Sequence, residues 1–200
     1  MSMRPGRHAF SVEQGRITLR TSRDGLAAQA GHDLTIDVDR WSGELILAAD
    51  GTPEALDVLA DLGSMVVRVG TGGIKPLTDR DKREIVVTAR KVLHADRYPE
   101  ATFTASRFVP DPSGNGGDID GTLALAGQAQ PQRLKVTEEG QGRFRATTTV
   151  RQTSYGIKPY SGFLGALRVS DTVEVVAEVD LSAAVLPQRQ SSAENSESGG

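Results

Sequence analysis

The sequence predicts an all-β fold, an antiparallel barrel or sandwich with one helix, on three observations. Apolar and polar residues alternate in many short runs, turn-forming Gly and Asn residues separate those runs, and one segment alone carries helical spacing. A period of two marks a strand with one dry and one wet face. Short strands joined by Gly and Asn turns imply hairpins rather than βαβ crossovers.

The clearest alternation comes early. Ile17 and Leu19 share one face of Arg16–Arg20, and Leu34, Ile36 and Val38 oppose Asp33, Thr35, Asp37 and Asp39. Near the other end, Val173 to Leu181 alternates with one interruption at Val176. Noisier runs cover residues 10–12, 44–48, 65–69, 102–108, 119–126, 133–137 and 144–151. Residues 55–62 fit either period, and their strand-like flanks favour a strand. Turns are expected at Gln14-Gly15, Ser42-Gly43, Gly140-Gln141-Gly142 and the long Pro110–Gly117 loop.

The helix is expected over residues 78–93. Thr78 and Asp81 form a capping-box pattern with an acidic third residue. Asp79, Asp81 and Glu84 lie early and Arg90 and Lys91 late, as the helix dipole favours. Ile85, Ala89, Val92 and Leu93 make an apolar stripe, so the helix should cover an opening or an outer face of the sheet. About nine strands result. A barrel closes its own edges, and at about eight strands its interior is either filled by side chains or holds one small ligand.

The 200 residues suit one domain with a real core. With no cysteine there is no disulfide, thiol nucleophile or thiolate metal site. A net charge of -3 with dispersed basic residues argues against nucleic acid. No apolar run reaches the roughly 18 residues of a membrane span. The start, Met1 to His8, is polar and carries no signal-like apolar core, so a cytoplasmic location is expected. The expected layout is a flexible stretch at 1–9, a barrel domain at 10–186 and a disordered tail at 187–200.

Four segments, taken in order, resemble the YceI-like family of lipocalin-like, polyisoprenoid-binding proteins. They are Ala30-Gly31-His32-Asp33-Leu34-Thr35 with Trp41-Ser42-Gly43; Gly73-Ile74-Lys75-Pro76-Leu77-Thr78-Asp79-Arg80-Asp81; Val92 to Phe103, which includes Tyr98-Pro99; and Tyr155-Gly156-Ile157-Lys158-Pro159-Tyr160 followed by Asp171. The Tyr-Pro-x-Ala-Thr-Phe stretch after a charged helix is the most specific of them. The resemblance spans about residues 10–182. It implies a lipocalin-like antiparallel barrel of about eight strands with a long apolar pocket for an isoprenoid chain, such as a quinone tail.

The expected pocket wall is the inward set of the alternating strands: Ile17, Leu19, Leu34, Ile36, Leu45, Leu47, Phe103, Phe108, Leu123, Leu125, Phe144, Val173 and Val175. The alternative for each is plain core packing. His32, Lys158 and Tyr160 are candidates for contacts to a head group at the mouth, with Lys75 a similar case. His32 and Asp33 point to opposite faces and cannot easily act together. His8, His32 and His94 lack ligand spacing, so no metal is expected. Gly70-Thr71-Gly72-Gly73 lacks the Lys-Ser/Thr of a nucleotide loop and reads as a mobile hairpin connection. Ser161 lacks the flanking glycines of a nucleophile elbow.

The expected role is therefore binding of an isoprenoid or other long-chain lipid for carriage, storage or stress response, without catalysis and without a cofactor. A homodimer is an open option. The alternatives are an enzyme in which His32 and Lys158 meet in the pocket, and a structural module with a filled core.

Overall fold

The computed structural model describes residues 3–112 and 114–184. The described residues form twelve strands and one α-helix. The strands are β1 (Gly6–Ser11), β2 (Gly15–Asp24), β3 (Asp33–Val38), β4 (Trp41–Leu47), β5 (Pro53–Asp61) and β6 (Met65–Thr71), then β7 (Glu100–Pro110), β8 (Gly116–Leu125), β9 (Gln128–Gly140), β10 (Arg143–Arg151), β11 (Ser161–Gly162) and β12 (Leu167–Asp180). Helix α1 (Asp79–Val92) lies between β6 and β7.

One continuous sheet runs β1-β4-β5-β7-β8-β9-β10-β12-β2-β3-β6, and β11 pairs with β12 outside that path. All pairs are antiparallel. The sheet curls on itself, because side chains from its two ends share one core. Phe10, Trp41 and Leu56 from one end pack with Ile36, Val38, Met65 and Val67 from the other. The strand count exceeds the expected eight. Short strands such as β1 and β11 join through backbone pairing, with little alternation to announce them.

A polar staple joins the two ends. The β3–β4 turn and the β5–β6 connection cross there, with Asp39 N–H donating to Ser64 O (3.1 Å) and Asp61 N–H to Arg40 O (3.0 Å). Arg40 also clamps the Asp61 carboxylate with Nε and a terminal nitrogen, at 2.9 and 2.7 Å.

Helix α1 follows the expectation closely. Thr78 is its N-cap, and a complete capping box joins it to Asp81. Arg90 and Lys91 fill the last turn. Ile85, Ala89 and Leu93 pack against the sheet core.

Three expectations differ from the structure. Ser42 and Gly43, expected as a turn, lie inside β4 and pair with Leu59 and Val58, so the turn falls before Trp41 instead. β1 starts at Gly6, within the stretch 1–9 expected to be flexible, and Gly6 pairs with Leu47 of β4. Gly72 and Gly73 lead from β6 into α1 rather than between two strands, because the segment after them is helical. The tail expected at 187–200 lies outside the described residues.

Candidate functional site

The curled sheet encloses a cavity of about 990 Å³. That lies at the upper end of the roughly 300–1,000 Å³ typical of small-molecule sites. Its walls repeat the period of two strand by strand. Ile17, Leu19 and Thr21 come from β2, and Leu34, Ile36 and Val38 from β3. Leu123 and Leu125 come from β8, Ala146, Thr148 and Val150 from β10, and Val173, Val175 and Ala177 from β12. Alternate residues of a strand share a face, so one pattern produces both the dry wall and the wet exterior. Helix α1 adds Ile85, Ala89, Val92 and Leu93, which makes it a cover over the opening. Aliphatic side chains dominate, and Phe103 and Tyr160 are the aromatic members of the lining.

The interior is therefore hollow in one part and packed in another. Phe10 and Trp41 meet edge to face with centroids 6.0 Å apart, and neither lines the cavity. Gly43 makes their arrangement possible, since a Cβ there would sit 2.3 Å from the Phe10 ring.

Eleven of the sixteen expected site residues line the cavity: Ile17, Leu19, His32, Leu34, Ile36, Phe103, Leu123, Leu125, Tyr160, Val173 and Val175. Five do not. Leu45, Phe108 and Phe144 pack against the core cluster around Phe10 and Trp41, and Leu47 is buried without reaching the cavity. Alternation reports the face of a strand but not the depth along it, which is why these four were misplaced. Lys158 is exposed, away from the cavity wall, so His32 and Lys158 do not meet in it.

Polar groups collect at the mouth. His32 Nε2 lies 2.8 Å from the Lys75 carbonyl oxygen. Gly73, at φ +72, lets the chain pass over the imidazole, where a Cβ would approach to 2.4 Å. Arg23 lines the mouth and donates to Gly31 O at 2.8 Å. Asp81 also lines it. Hydrogen bonds from the Thr78 hydroxyl and N–H hold its carboxyl below the usual carboxylate range. Thr21 Oγ1, on the β2 wall, is buried and has no hydrogen-bond partner among the described residues.

One seam interrupts the wall. Backbone pairing of β9 with β10 stops at Lys135 and Thr147. Beyond it Pro131 has no N–H to give, as suits a strand that has lost its neighbour. Side chains take over the orphaned carbonyls: Thr148 Oγ1 donates to Arg133 O at 2.7 Å, and Gln132 Nε2 donates to Thr149 O at 3.3 Å. Gln132 and Thr148 border both the cavity and an outer depression edged by Arg133, Lys135 and Glu174. Behind the seam, burial raises the pKa of the Tyr155 hydroxyl.

Sequence reasoning missed Thr21, Arg23, Gln132, Thr148 and Gln152 among the lining residues. Polar residues on an inward face cancel the alternation that would have marked them. The helix stripe at Ile85, Ala89, Val92 and Leu93, expected to cover an opening or an outer face of the sheet, covers the opening and lines the cavity.

The YceI-like domain model matches residues 12–181. The chain belongs to the YceI-like family. Two solved structures resemble this YceI-like chain in fold. BcnA of Burkholderia cenocepacia aligns with a TM-score of 0.57 at 14% identity, over 84% of this chain and 96% of its own. A polyisoprenoid-binding domain from Saccharophagus degradans, implicated in plant cell wall breakdown, aligns with a TM-score of 0.51 at 16% identity, over 88% and 99%. No curated protein matches the chain. No helix among the described residues of this YceI-like chain is long and apolar enough to cross a membrane.

Proposed function

We propose that this YceI-like chain binds an amphipathic lipid, holding its isoprenoid or fatty chain in the cavity and its polar end among Arg23, His32 and Tyr160. The observation that carries this reading is the hollow interior of about 990 Å³ with predominantly aliphatic walls. Family membership supports it, as does the fold shared with a domain described as polyisoprenoid-binding. The role would be carriage or storage, including under stress, rather than catalysis.

The energetics favour a long chain. Each buried CH₂ contributes about 0.8 kcal/mol, so a dozen give about 10 kcal/mol before costs. Association loses roughly 4–15 kcal/mol of translational and rotational freedom. A short chain would barely break even, and a long one binds firmly without any special polar contact.

Native mass spectrometry of freshly purified protein, followed by titration with a polyprenol, tests this reading. An apolar adduct of defined mass, or saturable uptake of the added polyprenol, is the expected result. No adduct together with no saturable uptake would overturn it.

A further inference from the structure

Three large aliphatic side chains stand almost fully in solvent: Leu26 at 101% exposure, Ile74 at 79% and Leu164 at 110%. The other exposed large apolar residues lie between 38% and 52%. Scattered half-exposed apolar residues are ordinary, whereas a cluster at one place signals an interaction surface. These three sit on three different connections, β2–β3, β6–α1 and β11–β12, which meet at the cavity mouth. Ala27 N–H donates to Ala166 O at 2.8 Å, which ties the Leu26 loop to the Leu164 loop. The bond of His32 to Lys75 ties the first loop to the Ile74 loop. Ile74 and Tyr160 themselves line the cavity, so the exposed apolar ring continues into the binding site.

Leu164 adds a second observation. Its backbone is left-handed, at φ 54 and ψ 31. That conformation is uncommon outside glycine; His94, Ala126 and Gln141, in turns elsewhere, share it.

Charge selects the occupant. Residues 25–31 carry no charge, residues 72–77 carry only Lys75, and residues 156–166 carry only Lys158. The loops thus hold two lysines and no acidic residue, in a chain of net charge -3. Of the acids bordering them, Asp24 faces Arg168, Asp33 accepts from the Arg23 N–H and Asp81 closes the helix capping box, while Asp79 stands exposed in the first turn of α1. Aliphatic tips flanked by lysines match the boundary of an anionic bilayer, where apolar side chains enter the acyl region and cations stay among the head groups.

We infer that the cavity mouth docks onto an anionic lipid surface through Leu26, Ile74 and Leu164, with Lys75 and Lys158 among the head groups. The protein would then collect or deliver its ligand without passing the chain through water. This builds on the lipid-binding reading and is tested separately from it.

Sedimentation of the full chain with vesicles decides the matter. Phosphatidylcholine mixed with phosphatidylglycerol is compared with phosphatidylcholine alone. The protein should sediment with the anionic vesicles, less with the neutral ones, and less at high salt, where charges are screened within about 3 Å at 1 M. Leu26→Ser combined with Leu164→Ser should lower partitioning about tenfold or more. Both sites are exposed, so the melting temperature should hold, and polyprenol binding in vesicle-free buffer should persist. Leu123→Trp should give the converse, with vesicle binding retained and polyprenol uptake lowered about tenfold or more. Docking is overturned if the anionic vesicles carry down no protein, which would leave a protein partner as the occupant of the ring. It is equally overturned if the double variant binds them as well as the parent chain.

Discussion

The packed and hollow parts of the interior are walled by the same strands, yet built from different side chains. Around Phe10 and Trp41, large rings and Leu45, Phe108 and Phe144 fill the space between facing strands. Around Leu34, Leu123 and Val173 the inward residues are aliphatic and smaller, and the facing walls stay apart. The difference teaches that a curled sheet needs only part of its interior packed to hold its shape. The remainder can stay open once a helix covers it.

Substitutions that exchange the character of the two parts should separate stability from binding. Trp41→Ala, in the packed part, removes a buried ring and should cost about 3–5 kcal/mol. At about 2–4 °C per kcal/mol for a chain of this size, the melting temperature should fall by roughly 6–20 °C. Thermal denaturation followed by circular dichroism measures it. Leu123→Trp, in the hollow part, places a ring in empty space instead of in a filled core. Stability should change by less than about 1 kcal/mol, since overpacking costs arise where no room exists. Polyprenol uptake should fall about tenfold or more, as several methylenes at about 0.8 kcal/mol each lose their place.

Smaller changes sharpen the comparison at its borders. Thr148→Val takes away the hydroxyl that serves Arg133 O at the β9–β10 seam. The expected loss is about 1 kcal/mol, with faster amide exchange along β9 and β10. Asp61→Asn weakens the staple beside the packed part. The Arg40 hydrogen bond, with help from the Gly63 N–H, holds the Asp61 carboxyl below the usual carboxylate range. A carboxyl with a depressed folded pKa adds stability above its unfolded value of about 4 and loses it as pH falls through the folded value. The parent chain should therefore lose stability below about pH 4, and the Asn variant should show a flatter acid limb in urea denaturation while still binding lipid.

Much of this architecture was legible in the residues. The helix could be read from Thr78, Asp81 and the Ile85–Leu93 stripe, and the walls from alternation in β2, β3, β8 and β12. Other features were not, for definite reasons. Phe103 and Phe108 lie an odd number of residues apart yet both turn inward, because the β7–β8 register shifts between Ala105 and Arg107. A bulge of that kind leaves no mark in a periodic pattern. Gln132 and Thr148 face inward as polar residues because the seam needs their donors, which hides them from a search for apolar alternation. The division between Leu123, which borders the void, and Phe144, which fills the packed part, depends on how deep each lies along the barrel. Strand periodicity carries no such coordinate.

The central claim is that the void is a berth for a hydrocarbon chain. It is tested most directly by calorimetric titration with a series of straight-chain alcohols or polyprenols of increasing length. Affinity should rise with each added methylene, by up to about 0.8 kcal/mol, and level off once the void is full. An affinity independent of chain length would contradict the account.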